Sequence, residues 1–399
     1  MKVVITHTDL RIYWPSRILA LQQALESRGD ELFTVEIAGV GSPYAFSGNG
    51  GSALIRNWTC LFPETRMEDL PAARASRLLR AKLDELNPDV VMAGSIAYPS
   101  GATAVRWAKA HHRSVIIFDD IRPEDVPRNP MINYIKKLIY EQVDAILCPA
   151  SAWTDAFLHW NFRSEQLFFG VDVVDNVFWG TRDPAENMHG WSDPFFLAVG
   201  RLIPAKNFFF LLQVYEQYQA SMTYRDPLPL IIVGDGPQRE MMENFIREKK
   251  LKQVYIFPFA DPKQLRAFYH HAAALVLPSK AETWGLVVNE AMAAGLPVLV
   301  SKACGCASVL VREEINGYTF SPDKPHQLLD LLLSFTEKSP AERAAMGKAS
   351  RQIIQPWGLD QFVKGSLRAI NYVMMNRKIC RSVQARFVLK SWKGRYRPI

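Results

Sequence analysis

The sequence predicts an α/β protein built from two doubly wound, parallel-sheet domains, and three observations predict it. The chain has 399 residues, more than one hydrophobic core commonly serves. Short apolar runs alternate with helical patterns through its first half, which is how parallel strands with crossover helices read. After an aperiodic, breaker-rich stretch from Asn176 to Pro194, the same alternation begins again. The boundaries that follow are a first domain at 1–185, a second at 190–358, a helix at 359–376 and a basic tail at 377–399.

In the first half, strands are expected at Lys2–Thr6, Leu32–Ile37, Asp89–Ala93, Ser114–Phe118, Asp144–Cys148 and Gln166–Phe169. Helical patterns lie between them, at Pro15–Arg28, Leu70–Leu86, Ser100–His111, Pro130–Gln142 and Ser151–Trp160. Ligands of such sheets sit beyond the carboxyl ends of the strands. The turn-forming segment from Gly39 to Gly51 is expected to be a mobile loop.

In the second half, strands are expected at Phe195–Val199, Leu228–Val233, Val254–Phe257, Leu275–Leu277 and Pro297–Val300. Helices follow at Ala205–Ala220, Gln238–Lys250, Pro262–His271 and Trp284–Ala294. Ser339 with Glu342, and Pro340 between them, forms a capping box that starts a helix. A last helix runs from Leu359 to Met375.

Charge and composition exclude several classes. The formal net charge is +7, but eight cations fall within 377–399, which has no acid, so the rest of the chain stands near −1. The folded body therefore lacks the basic footprint of nucleic-acid binding, and no nucleic-acid partner is expected. No apolar run reaches the length of a membrane span, and the opening MKVVIT has no signal-peptide pattern. Five cysteines, odd in number and without a CxxC pair, read as reduced thiols of a cytoplasmic protein. Cys304-Gly-Cys306 without a His cluster does not make a metal site.

The chemistry concentrates in LPSKAETWGLVVNEAMAAGLPVLVS, Leu277 to Ser301. Glu282 precedes a helix opened by Gly285, whose first N–H groups suit an anion. Eight residues on, Glu290 shares the inward face with Leu286, Ala293 and Ala294. A buried carboxylate needs donors, and ribose hydroxyls would serve. Two readings are open for Glu282, a ligand contact or a capping box with Ser279; for Glu290, a ligand contact or a structural hydrogen bond. Upstream, Gly200-Arg201-Leu-Ile-Pro-Ala-Lys206 puts two cations on a strand-to-helix loop, where they could reach a diphosphate. Gly234-Asp235-Gly236-Pro237 reads as turn chemistry.

Glu282, Gly285, Glu290, Ala291 and Gly295-Leu296-Pro297-Val298 resemble the E-x7-E signature of retaining nucleotide-sugar glycosyltransferases of family 4. Arg201 and Lys206 match that family's GR-x4-K segment, and Gly234–Pro237 its GDGP. The resemblance implies the GT-B fold, two Rossmann-like domains facing across a cleft, with the last helix returning to the first domain. It implies a retaining hexosyltransferase that moves a sugar from a UDP-, GDP- or ADP-linked donor to a carbohydrate or lipid-linked acceptor, in surface polysaccharide or glycoconjugate synthesis. The catalytic residues so implied are Glu282, Arg201 and Lys206. The donor-binding residues are Arg201, Lys206, Glu282, Trp284, Gly285, Leu286 and Glu290. No metal and no cofactor are expected, because the cations and the helix N-terminus neutralise the leaving group.

The chain departs from the family in Thr6–Ile18, which lacks the usual glycines, at Cys306, Ser308 and Val309, and at Asp119-Asp120, where relatives place a histidine. Asp119 and Asp120 read either as a solvated loop or as groups that orient the acceptor. The alternatives to a transferase are a nucleotide-sugar epimerase of the same fold and a non-catalytic binding scaffold. The tail spaces Ile379, Val383 and Phe387 four apart among its cations, a basic amphipathic pattern able to lie on an anionic membrane from the cytoplasmic side. A disordered terminus, or packing on the first domain, are its other readings.

Overall fold

A computed structural model of the chain describes residues 1–40, 55–126, 128–183, 194–224, 226–377 and 382–394. Most of the expected Gly39–Gly51 loop, the centre of the expected linker, and Ile379 of the tail lie outside the described residues. The chain forms two compact units, Met1–Val173 with Leu359–Ile399, and Val174–Gly358. The division thus falls between Val173 and Val174 rather than at 185–190.

Among the described residues unit 1 holds seven parallel strands, β1 (Lys2–His7), β2 (Glu31–Val40), β3 (Trp58–Arg66), β4 (Val90–Ala93), β5 (Ser114–Phe118), β6 (Ala145–Cys148) and β7 (Leu167–Phe169). Their order is β3-β2-β1-β4-β5-β6-β7. Strands such as Ser114–Phe118 are buried along their whole length, because helices cover both faces and every position must be apolar. The covering helices are α1 (Trp14–Glu26), α2 (Ala72–Leu86), α3 (Pro99–Ala110), α4 (Pro130–Tyr140) and α5 (Thr154–His159). The sequence missed β3. It is an edge strand with mostly partly exposed side chains and Pro63 within it, and such a strand carries little apolar signal.

Unit 2 opens with α6 (Asn176–Gly180), capped by Asp175, within the stretch expected to be linker. Its described residues form six parallel strands, β8 (Phe196–Val199), β9 (Leu230–Val233), β10 (Val254–Phe257), β11 (Ala274–Leu277), β12 (Val298–Ser301) and β13 (Gly317–Phe320), in the order β10-β9-β8-β11-β12-β13. Helices α7 (Phe208–Ser221), α8 (Arg239–Glu248), α9 (Pro262–His271), α10 (Leu286–Ala294), α11 (Ala307–Leu310), α12 (Pro325–Glu337) and α13 (Pro340–Ile354) surround them. Ser339 caps α13 as expected, with the Glu342 amide donating to its hydroxyl at 3.3 Å and the Ser339 amide donating to Glu342 at 2.7 Å.

The chain then rejoins unit 1. On α14 (Leu359–Met375), Phe362, Ala369, Ile370 and Val373 are buried in the same core as Val3, Ile116 and Leu147. The tail is not a free arm. Ser382 caps α15 (Val383–Ser391), whose Ala385 and Leu389 are buried. Gln142 Nε2 donates to the Ala385 carbonyl at 2.6 Å, and Trp392 Nε1 donates to the Ile96 carbonyl at 2.7 Å. No helix among the described residues is long and apolar enough to cross a membrane.

Candidate functional site

In unit 2 the strand order reverses between β8 and β11, which pair directly. At such a switch point the loops after the two strands diverge and leave a crevice for a ligand. The loop after β8 carries Gly200, Arg201 and Lys206; the loop after β11 carries Ser279, Glu282 and Gly285.

The two loops are fastened to each other. Asn207, in the left-handed region at φ 61°, donates from Nδ2 to the carbonyls of Pro278 at 3.1 Å and Pro322 at 3.0 Å. The Lys280 amide donates to the Ala205 carbonyl at 2.8 Å. The GDGP turn supports the first loop from beneath, with the Leu202 amide donating to the Asp235 carbonyl at 2.8 Å and the Gln238 amide to the Leu202 carbonyl at 3.0 Å. A side chain at position 234 would place its Cβ 1.8 Å from the Gly200 carbonyl oxygen, so only glycine fits there. Asp235 accepts from its neighbours Gly236 and Arg239, in keeping with the turn reading.

Lys206 donates to Glu282 Oε2, and Ser279 Oγ donates to the same oxygen at 3.3 Å. The cation and the acid assigned to different parts of a donor thus form one ion pair, partly buried on both sides. The capping reading of Glu282 fails, because the N-cap of α10 is Gly285 and α10 receives no side-chain cap. Gly285 takes φ 107°, a conformation that side chains disfavour. The amides of Leu286 and Val287 open α10 next to the Glu282 loop in sequence, where a helix start offers them no carbonyl of a preceding turn, while the Val288 amide donates to the Gly285 carbonyl at 2.9 Å.

Two other donor-site candidates turn inward. Trp284 is 1% exposed; its Nε1 donates to Asn289 Oδ1 at 2.8 Å and its ring lies 5.6 Å from that of Trp357. Its side chain belongs to the core, so Trp284 is withdrawn as a side-chain ligand. Glu290 is buried, as its helical position required, but Tyr269 OH donates to its Oε2 at 2.6 Å. A protein donor therefore already answers part of the demand that pointed to ribose, and no spacing or motif pointed to Tyr269. Leu286 remains partly exposed at the start of α10.

In unit 1 the paired acids separate. Asp119 is 2% exposed and accepts from the Ile121 amide at 3.0 Å, from Lys136 Nζ at 3.4 Å and from Tyr140 OH. Lys136 also sits over the rings of Tyr140 and Trp160, at 4.9 and 4.7 Å. Burial lowers the Lys136 pKa and raises that of Tyr140. Asp119 is the anchor of an interior network and cannot orient an acceptor, which corrects its candidacy. Asp120 is partly exposed, and its charge bears on a cluster that sequence reading missed, Arg17 and Asp172. Arg17 donates from Nε and Nη2 to the Val173 carbonyl at 3.0 and 2.7 Å. Burial first, and the Asp120 charge second, push Asp172 up to about 8, against the pull of Arg17. The available signal was a charge on the buried Leu21, Leu25 stripe of α1.

The segment without glycines after β1 is held by side chains instead. Glu36 accepts from the Leu10 amide at 2.8 Å and from Trp58 Nε1 at 3.2 Å. Asp9 holds Arg11, which also donates to the Gly39 carbonyl at 3.0 Å. Burial pushes Glu36 up to about 7. Among the described residues no group of three or more His, Cys, Asp or Glu side chains could hold a metal ion.

Residues 182–353 match the family model described as glycosyl transferases group 1. The lipopolysaccharide 1,2-N-acetylglucosaminetransferase of Salmonella typhimurium is 32% identical over 227 residues, 52% of this chain and 57% of that one. The sulfoquinovosyl transferase SQD2 of Arabidopsis thaliana is 25% identical over 346 residues, 82% of this chain and 64% of that one. Four uncharacterized glycosyltransferases are matched over only 33% to 46% of their length, so the chain spans less than two thirds of these curated relatives. Among solved structures, Anabaena HepE in complex with UDP and glucose superposes with a TM-score of 0.71 at 16% identity, over 93% of this chain and 99% of that one. That likeness is one of fold, the two Rossmann-like units of the GT-B class.

Proposed function

We propose, from the match of residues 182–353 to the family model described as glycosyl transferases group 1, that the chain is a retaining, metal-independent glycosyltransferase of the hexosyl type. Its donor is a nucleotide sugar bound by unit 2, and its acceptor is a carbohydrate or lipid-linked glycan met by unit 1, in surface polysaccharide or glycoconjugate synthesis. Relatives named as a lipopolysaccharide N-acetylglucosaminetransferase and a sulfoquinovosyl transferase, and a neighbour solved with UDP, support this reading. The enzyme works at the cytoplasmic face of a membrane.

The observation that carries the proposal is the Lys206–Glu282 pair at the β8/β11 switch point, beside Arg201 and the start of α10. A diphosphate drawn to Arg201 and the α10 amides competes with Glu282 for the Lys206 ammonium. As Lys206 turns to phosphate, Glu282 is released to accept from hydroxyls of the sugar. One exchange of partners thus places a cation on the leaving group and a carboxylate on the transferred group, where charge develops in the transition state. Arg201, Lys206 and helix amides neutralise the diphosphate, so no divalent ion is called for. Glu290, steadied by Tyr269, receives the ribose. Asp120 faces the acceptor.

The test is calorimetry of the purified chain with UDP, GDP and ADP, followed by turnover with the matching nucleotide sugars in the presence of EDTA. One nucleotide should bind, Lys206→Ala should weaken it by a few kcal/mol, as loss of a charge-assisted contact does, and turnover should survive the chelator with the anomeric configuration retained. Absence of nucleotide binding sinks the reading; activity restored only by magnesium or manganese sinks its metal-independent form.

A further inference from the structure

We infer that unit 1 docks on the surface of an anionic lipid bilayer through a composite face made by α4 and α15. The two helices lie against each other, and Tyr134 OH on α4 donates to Gln384 Oε1 on α15 at 3.1 Å. The packing uses up one side of α15, where Ala385 and Leu389 are buried. Large apolar side chains remain outside: Val383 is 71% and Phe387 73% exposed, and on α4 Met131 is 64% and Tyr134 54% exposed. Large apolar side chains gathered on one face of a helix pair mark an interaction surface rather than ordinary scatter.

The charges carried by the two helices themselves have one sign. Arg386, Lys390 and Lys393 are exposed, α4 carries no acid between Asp125 and Glu141, and residues 377–399 contain none. Cations interleaved with protruding apolar and aromatic side chains fit the headgroup region of a bilayer, where phosphates meet the cations and acyl chains receive the rest. A second copy of the chain fits less well, since a two-fold contact would set this basic face against itself. A nucleic acid would satisfy the cations but offer nothing to Val383 and Met131.

The structure changes what the tail sequence implied. A tail acting alone would insert one continuous stripe; here half of the helix is committed to unit 1, so α4 must supply the other half of the contact. The inference extends the proposed lipid-linked acceptor but is read by lipid binding, not by turnover, so it can fail while the transferase reading stands.

The test floats the full chain with phosphatidylcholine vesicles that do or do not contain phosphatidylglycerol. The chain should bind only the anionic vesicles and leave them at high salt. Val383→Ser with Phe387→Ser, and separately Met131→Ser with Tyr134→Ser, should each lower partitioning about tenfold. Arg386→Glu with Lys390→Glu should abolish it, with the melting temperature of that variant unchanged because both side chains are exposed. No binding to anionic vesicles overturns the inference. So does binding that the α4 pair leaves unaltered, and so does a dimer, seen by light scattering, that the same variants dissociate without any lipid binding.

Discussion

At the scale of single residues, the proposed exchange of partners at Lys206 makes Glu282 the position that separates binding from chemistry. Glu282→Gln removes the charge that competes for Lys206 while keeping its size, so nucleoside diphosphate affinity should hold or rise. Transfer should fall about a hundredfold, as for loss of one preorganised contact to a developing charge. Calorimetry and turnover on the same protein check both, and an unchanged rate would remove Glu282 from the mechanism. Glu36 carries a different expectation. Its carboxyl is raised from an ordinary 4.5 to about 7 by burial, so the folded chain holds its proton more tightly than the unfolded one. The stability it contributes is complete below about pH 4.5 and is lost as pH rises from there through about 7, up to roughly 3 kcal/mol. Glu36→Gln should flatten that part of the melting-temperature profile. A slope as steep as wild type would show that Glu36 is not its source. The residues that misled the sequence reading did so for one reason: whether an acid or an indole faces in or out depends on partners distant in the chain. Asp119 meets Lys136 and Tyr140, Trp284 meets Asn289 and Trp357, and no spacing announces either.

At the scale of elements, the buried strands and the capped helices were legible. Ser114–Phe118 and Leu359–Met375 coincide with their expected ranges, because continuous apolar runs and a long amphipathic repeat are local properties. The meeting of two loops was also legible, since Arg201, Lys206 and Glu282 fall on the adjoining loops after β8 and β11. What was not legible was their support. Gly234 touches Gly200 only because β8 and β9 are neighbours in the sheet. Gly234→Ala would drive a methyl into the Gly200 carbonyl, push Arg201 away from its place, and cost about 1–3 kcal/mol of stability as overpacking does. Donor affinity should fall with it. Denaturant unfolding and nucleotide binding would be measured together, and an alanine variant matching wild type in both would refute the close packing.

At the scale of the whole molecule, the sequence anticipated two Rossmann-like units and a returning helix, but drew the first boundary too late, because the breakers at 181–194 follow a short helix, Asn176–Gly180, that already belongs to unit 2. Unit 1 is made from both sides of its companion, with Phe362, Ala369, Ile370 and Val373 filling a core whose other members come from the first 173 residues. During synthesis on the ribosome this has an order built into it. Unit 2 is contiguous, so it has every residue it needs once position 358 has emerged, whereas unit 1 waits with an incomplete apolar layer for α14 to be made. The nascent chain should therefore acquire protease resistance in unit 2 first, and stalled chains released before Leu359 should show a resistant fragment from that unit and a digestible first segment. Synonymous changes that slow translation after Gly358 would lengthen this vulnerable interval, so chaperone demand should depend on the pace at which the codons of Leu359–Met375 are read.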